Sequence, residues 1–211
     1  EIKRTAMEKF SNIRSNGLKA FDIEDGDELG WVLVTRGEDD IILVAQLGLS
    51  IRFNETLARD RGRTAGGVRA MRLGDDDILV GADIVREGST LLVVGTNGFG
   101  KRTNLDDYRT QGRGGKGILT MNVTDKTGVI VSAEVVDEDD RLLVLTAKGK
   151  GIRVKVKDIR LVGRVAQGVK LINMQDGDSI SSIARIIQDP DEGDVAGEGE
   201  ASEVVETTDE S

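Results

Sequence analysis

The sequence predicts an all-β fold, a β-propeller-like wheel of about four blades, each of about four short antiparallel strands. Three observations predict it. The chain repeats itself with a period of roughly 50 residues. Its apolar residues fall in β-branched and aliphatic runs of 5 to 8 divided by turn signals. Gly supplies 27 of 211 residues against one Pro, about twice the average glycine use, as tight turns and close strand contacts require.

Two markers carry the repeat. Gly48-Leu-Ser-Ile-Arg52, Gly98-Phe-Gly-Lys-Arg102 and Gly149-Lys-Gly-Ile-Arg153 succeed one another at steps of 50 and 51 residues. Arg63-Thr-Ala-Gly-Gly67-Val68, Arg113-Gly-Gly-Lys-Gly117-Ile118 and Arg164-Val-Ala-Gln-Gly168-Val169 follow them, each arginine 11 residues after the first marker's. The opening unit has weaker forms, Lys3-Arg4 and Arg14-Ser-Asn-Gly17-Leu18, without the apolar run expected before them. Four repeats minus one leading strand result, over approximately 1–40, 41–88, 89–140 and 141–188.

Within a repeat the strands are read in order. Ile41–Ala45, Leu91–Gly95 and Leu142–Thr146 are continuous apolar runs. Val68–Leu73, Ile118–Val123 and Val169–Met174 follow the glycines of the second marker, and Leu79–Val85, Val129–Val136 and Ile180–Ile187 close each unit. Glu24-Asp-Gly-Asp27, Thr96-Asn-Gly98 and Asp176-Gly-Asp178 are turns. No segment sustains a 3.6-residue period, so helix is expected only as a turn near Leu105–Tyr108. Residues 189–211 hold ten acids, no Lys or Arg, and few apolar side chains. That composition predicts a disordered acidic tail. The chain opens at Glu1 rather than Met, which reads as a fragment of a longer protein.

With no Cys and no His, thiolate and imidazole metal sites, a Ser-His-Asp triad and disulfides are excluded. No run approaches a membrane span, so a soluble chain is expected, and the absence of Cys fits a reducing cytosol. Without the tail, 28 acids face 29 basic residues. The cations segregate by phase: windows 3–19, 52–72, 101–126 and 148–170 hold 25 of the 29 Lys and Arg but seven acids. Equivalent positions share one edge of a wheel, so a curved basic belt is expected. Such a belt suits the backbone of double-stranded DNA, bound by counterion release without reading bases. Aromatic residues do not interleave with the cations as a single-strand stacking platform requires. The candidate phosphate contacts are Arg52, Arg63, Lys101, Arg102, Arg113, Lys116, Arg153, Lys155 and Arg164.

Catalytic motifs fail on context. Gly112-Arg-Gly-Gly-Lys-Gly117 matches a dinucleotide fingerprint, but a strand follows where a helix is required. Gly95-Thr-Asn-Gly-Phe-Gly-Lys-Arg102 ends in Arg where a P-loop needs Ser or Thr. Tyr108 beside Arg109 resembles an activated nucleophile, yet its repeat position is also filled by Phe10, Ala58 and Ile159, an apolar packing slot. The clusters Glu38–Asp40, Asp75–Asp77 and Glu138–Asp140 are read as turn residues rather than cation ligands.

Gly98-Phe-Gly-Lys-Arg-Thr103, Asp106-Asp-Tyr-Arg109, Gln111-Gly-Arg-Gly-Gly-Lys-Gly117 and Val162-Gly-Arg-Val-Ala-Gln-Gly-Val169 resemble the C-terminal domain of DNA gyrase A over about residues 1–188. The resemblance implies a β-pinwheel whose neighbouring blades exchange a strand, and wrapping of double-stranded DNA around the basic rim in support of ATP-dependent negative supercoiling. It implies partners in the gyrase A cleavage region and in gyrase B, within a heterotetramer. It also implies a nucleoid-associated location and no cofactor in this chain, ATP and Mg²⁺ belonging to other domains. Gln111, Gly112, Arg113, Gly114, Gly115, Lys116 and Gly117 look like a secondary form of the family's hallmark box Q-R-R-G-G-K-G, with Gly112 in place of the first arginine. That form resembles a late blade, and the chain the last four blades plus tail. The alternatives are the equivalent domain of topoisomerase IV and a propeller used as a protein scaffold.

Overall fold

In each of the last three repeats the leading apolar run becomes an interior strand and folds back on the strand after it. A computed structural model describes residues 1–186; the expected acidic tail lies outside the described residues. The strands are β1 (Asp40–Ala45), β2 (Leu49–Asn54), β3 (Leu79–Ile84), β4 (Thr90–Gly95), β5 (Phe99–Asn104), β6 (Ile118–Leu119), β7 (Ile130–Val136), β8 (Arg141–Thr146), β9 (Gly151–Lys155), β10 (Val169–Lys170) and β11 (Ile180–Ile186). They form antiparallel sheets ordered β3-β1-β2-β6, β10-β5-β4-β7 and β11-β8-β9. Gly98 closes the β4–β5 hairpin at φ +84°, a conformation that favours glycine.

Strand exchange joins the blades. β6 comes from the third repeat and pairs with β2 of the second, Ser50 opposite Ile118. β10 comes from the fourth and pairs with β5 of the third, Gly100 opposite Val169. At the same phase the first repeat makes only an isolated bridge, Ile2 to Val68. Residues 1–39 contain no strand, only that bridge and one from Arg4 to Asp60.

β4 shows why its sequence reads as an unbroken apolar run. Leu91 and Val93 pack with Ile42, Val44, Ala133 and Val135 on one side. Leu92 and Val94 pack with Val136, Leu142, Val144 and Ile180 on the other. A strand covered on both faces has no polar side to alternate. The blades therefore share their cores face to face.

Two expectations need correction. Val68–Leu73, Ile118–Val123 and Val169–Met174 give one bridge and two strands of two residues each, because after those residues the chain leaves the neighbour's edge to fill the core with Met71, Met121 and Ile172. The hairpin partners β2, β5 and β9 lie over the first marker, where polar and basic residues disguise them. Short 3-10 turns occur at Met7–Phe10, Glu55–Leu57, Leu105–Asp107 and Val156–Asp158, the third of them where a turn is expected.

Tyr108 fills the apolar slot the repeat predicts. It is 1% exposed, as are Ala58 and Ile159 at the equivalent positions. Its hydroxyl lies 2.6 Å from Thr120 Oγ1, and burial raises its pKa. Tyr108→Phe should lower stability by about 1–2 kcal/mol, since it leaves the Thr120 hydroxyl without this partner, while duplex binding stays unchanged. Urea denaturation and a binding titration check both halves. A loss of DNA binding without destabilisation would restore a direct role for the phenol.

Candidate nucleic-acid interface

The nine candidate cations divide by what their side chains touch. Arg52 donates through Nε to Asp40 Oδ2 at 2.8 Å and through Nη1 to Leu105 O at 3.0 Å in the next repeat. Burial raises the pKa of Asp40, but hydrogen bonds from Arg52 and Asn54 outweigh it and hold the carboxyl below its ordinary value. Arg102 repeats the grip one blade on, Nε to Ile159 O at 2.9 Å, and is 5% exposed. Lys101 is 0% exposed, its ammonium donating to the carbonyls of Gly163 and Arg164. These three cations face the seams between blades, which corrects their reading as phosphate contacts. Buried carbonyls need donors, and an arginine fork spans two strands to supply them.

Arg153 has the phase of Arg52 and Arg102. It is exposed and has no side-chain partner among the described residues. Lys155 and Lys116 are exposed in the same way.

The second-marker arginines do two things. Arg63 donates to Lys19 O at 3.5 Å, Arg113 to Arg69 O, and Arg164 to Leu119 O at 2.7 Å. The acceptors are 50 residues apart, so one contact recurs three times and ties each loop to the repeat before it. All three side chains stay partly exposed, and a guanidinium carries five donors, which leaves N–H groups facing outward.

The box-like loop is itself a seam. Gln111 N donates to Arg52 O at 2.8 Å, Gly114 N to Ala70 O at 2.7 Å, and Gly115 O accepts from Arg72 N at 2.8 Å. Gly112 is exposed beside them. Gly117 stands at φ +84°, and a Cβ built there would lie 2.2 Å from Ser50 O. Only glycine lets this backbone close on β2.

Sequence reasoning missed a third set. Arg59, Arg109 and Arg160 recur at steps of 50 and 51, seven residues after the marker arginine. All three are exposed and without side-chain partners among the described residues. Each precedes the residue that bridges to the preceding repeat's marker arginine: Asp60 to Arg4, Thr110 to Arg52, Leu161 to Arg102. They therefore stand at one edge, once in each of the last three repeats, where the first has Ser11. The signal was their period, masked by the glycine-rich motifs nearby.

The acidic clusters behave as turns: Asp77 accepts from Leu47 N at 3.0 Å, Asp39 from Arg36 N at 2.7 Å and Asp140 from Asp137 N at 2.9 Å. Among the described residues no acidic group is assembled to hold a metal ion, and no helix is long and apolar enough to cross a membrane.

The family model described as the DNA gyrase C-terminal domain, beta-propeller, matches residues 2–36, 39–86, 89–137 and 140–187. The chain belongs to the DNA gyrase A C-terminal domain family. The DNA gyrase A protein of Ureaplasma parvum is 43% identical over 183 residues, 87% of this chain and 22% of that protein. That of Mycolicibacterium smegmatis is 39% identical over 202 residues, 95% of this chain and 24% of the relative. The chain thus spans about a quarter or less of the gyrase A proteins it matches. A solved DNA gyrase A C-terminal domain superposes with a TM-score of 0.71 at 28% identity, over 82% of this chain and 59% of that one. The C-terminal domain of DNA topoisomerase IV superposes at 0.81 with 21% identity, over 87% and 58%, which shows a shared fold.

Proposed function

We propose that this chain binds and wraps double-stranded DNA along its basic blade edge, as the C-terminal module of a DNA gyrase A protein. The observation that carries the reading is the recurrence of Arg59, Arg109 and Arg160, exposed and unpaired among the described residues, once in each of the last three repeats. Partly exposed Arg63, Arg113 and Arg164 join them, with Lys116, Arg153 and Lys155. Cations repeated at a fixed angular step follow a curved phosphate line and read no bases. Gyrase A relatives at 39–43% identity favour gyrase over topoisomerase IV.

In this reading the chain contributes no catalysis. Its one tyrosine is buried, and no base, nucleophile and oxyanion site come together among the described residues. Supercoiling, ATP and Mg²⁺ belong to the assembled enzyme, with the gyrase A cleavage region and gyrase B as partners, in the bacterial cytoplasm on the nucleoid. Sealing a nicked circle with ligase while the chain is bound traps any writhe it imposes. A shifted linking-number distribution at saturating protein is expected; an unshifted one would leave binding without wrapping.

A further inference from the structure

Lys3 and Lys101 hold the same place in the first and third repeats, one residue before the marker arginine, where the second and fourth repeats have Ile51 and Ile152. Lys101 Nζ donates to Gly163 O at 2.8 Å and to Arg164 O. Lys3 Nζ donates to Gly62 O at 3.3 Å, to Arg63 O, to Ala65 O at 3.1 Å and to Ala20 O at 2.6 Å, and lies 4.6 Å from the centroid of the Phe21 ring. Gly62-Arg63 and Gly163-Arg164 are equivalent in the repeat. Two lysines therefore cap the same pair of carbonyls, each in the loop of the next repeat.

The consequence follows from peptide geometry. In a trans peptide the N–H of one residue points opposite to the C=O of the residue before it. Drawing the carbonyls of Gly62 and Arg63 inward turns the N–H groups of Arg63 and Thr64 outward, and in the other loop those of Arg164 and Val165. None of these four amides has a protein acceptor among the described residues. The loop over Ile51 differs: there Gly114, equivalent to Thr64 and Val165, sits at φ +81° and donates to buried Ala70 O. Without an ammonium beneath it, the loop turns that amide inward.

We propose that Lys3 and Lys101 are positioning residues that turn two successive backbone N–H groups of the Arg63 and Arg164 loops outward to receive a DNA phosphate. Successive amides facing one way form an anion-binding concavity, here beside a guanidinium. The inference rests on the duplex-binding reading. It also accounts for a costly choice, because a buried ammonium loses its hydration and an apolar side chain of similar size is commonly neutral or stabilising. Two of the four repeats already use Ile at this position.

The charged groups around Lys101 give the test a second axis. Burial, then Arg164, lowers its pKa from 10.5 to about 8 against the opposing pull of Asp107. Below pH 8 the group is protonated both folded and unfolded. Between about 8 and 10.5 the folded form gives up its proton while the unfolded chain keeps it, so this group's contribution to stability rises with pH. The neutral amine keeps two N–H donors for the carbonyls of Gly163 and Arg164, so over the same range its grip on the loop weakens from charge-assisted to neutral hydrogen bonds.

The experiment compares the chain with Lys101→Ile by thermal melting and by fluorescence anisotropy on a short duplex, at constant ionic strength from about pH 7 to 9.5, a range that spans the folded-state titration. K101I should melt at the same temperature or higher, bind roughly tenfold more weakly at pH 7, the loss of about one charge-assisted contact, and lose less affinity than the parent as the pH is raised towards 9.5. Equal affinity of the two proteins at neutral pH would overturn the proposal. If K101I does not fold, Lys101→Met is judged by the same outcomes. A parent chain that fails to bind the duplex at neutral pH would instead remove the underlying reading.

Discussion

Gly117→Val should detach the third blade's exchanged strand from β2 and destabilise the chain by about 2–5 kcal/mol, the combined cost of a left-handed β-branched residue and overpacking. The added side chain would meet Ser50 O, a backbone atom that cannot rotate away. Gly168→Val should do the same one blade on, where a Cβ would lie 2.4 Å from Gly100 O at φ +84°. Gly112→Ala is the control in the same loop: a Cβ there meets nothing within 4 Å, and the expected change is within about 0.5 kcal/mol. Urea denaturation followed by circular dichroism separates the three. Near-wild-type stability for Gly117→Val would mean that strand exchange does not hold the blades together.

Removing Arg59, Arg109 and Arg160 together, as alanines, should weaken duplex binding roughly 10²- to 10³-fold, at about 1–1.5 kcal/mol per charge-assisted phosphate contact. The slope of log K against log salt should flatten by about 2.7, from roughly 0.9 per phosphate neutralised. Stability should change little, because these side chains are exposed and unpartnered among the described residues. Arg52→Ala should behave oppositely. It strips a partner from Asp40 and the inter-blade carbonyl of Leu105, so the fold loses stability while the salt slope of the folded protein stays near its starting value. A triple variant with unaltered slope would place the DNA path elsewhere on the blades.

The contrast between Arg52 and Arg59 shows how far the sequence could be read. Period, phase and the apolar runs of β1, β4 and β8 made the blade architecture legible; β1 and β4, buried on both faces, have no polar alternation to confuse them, and β8 stays apolar although Leu145 on its outer face is exposed. Charge segregation pointed to a basic edge because equivalent positions fall together in a repeat. What stayed illegible was which cations turn inward. Phe99-Gly-Lys-Arg-Thr-Asn104 carries no hydropathic sign of a core strand, yet Lys101, Arg102 and Thr103 are all buried. Their charges are tolerated because carbonyls of the next repeat, distant in sequence, supply the acceptors. Arg59, Arg109 and Arg160 had the period, but the glycine-rich motifs that follow them by three residues drew the notice instead.

The most direct test of a DNA-binding rim is the affinity of the chain for a duplex of about 40 bp, measured by fluorescence anisotropy between roughly 50 and 200 mM salt. If about 6–10 phosphates lie on the rim, affinity should fall on the order of 10³- to 10⁵-fold across that range. Weak binding that hardly changes with salt would contradict a DNA-binding rim and favour a protein-interaction scaffold.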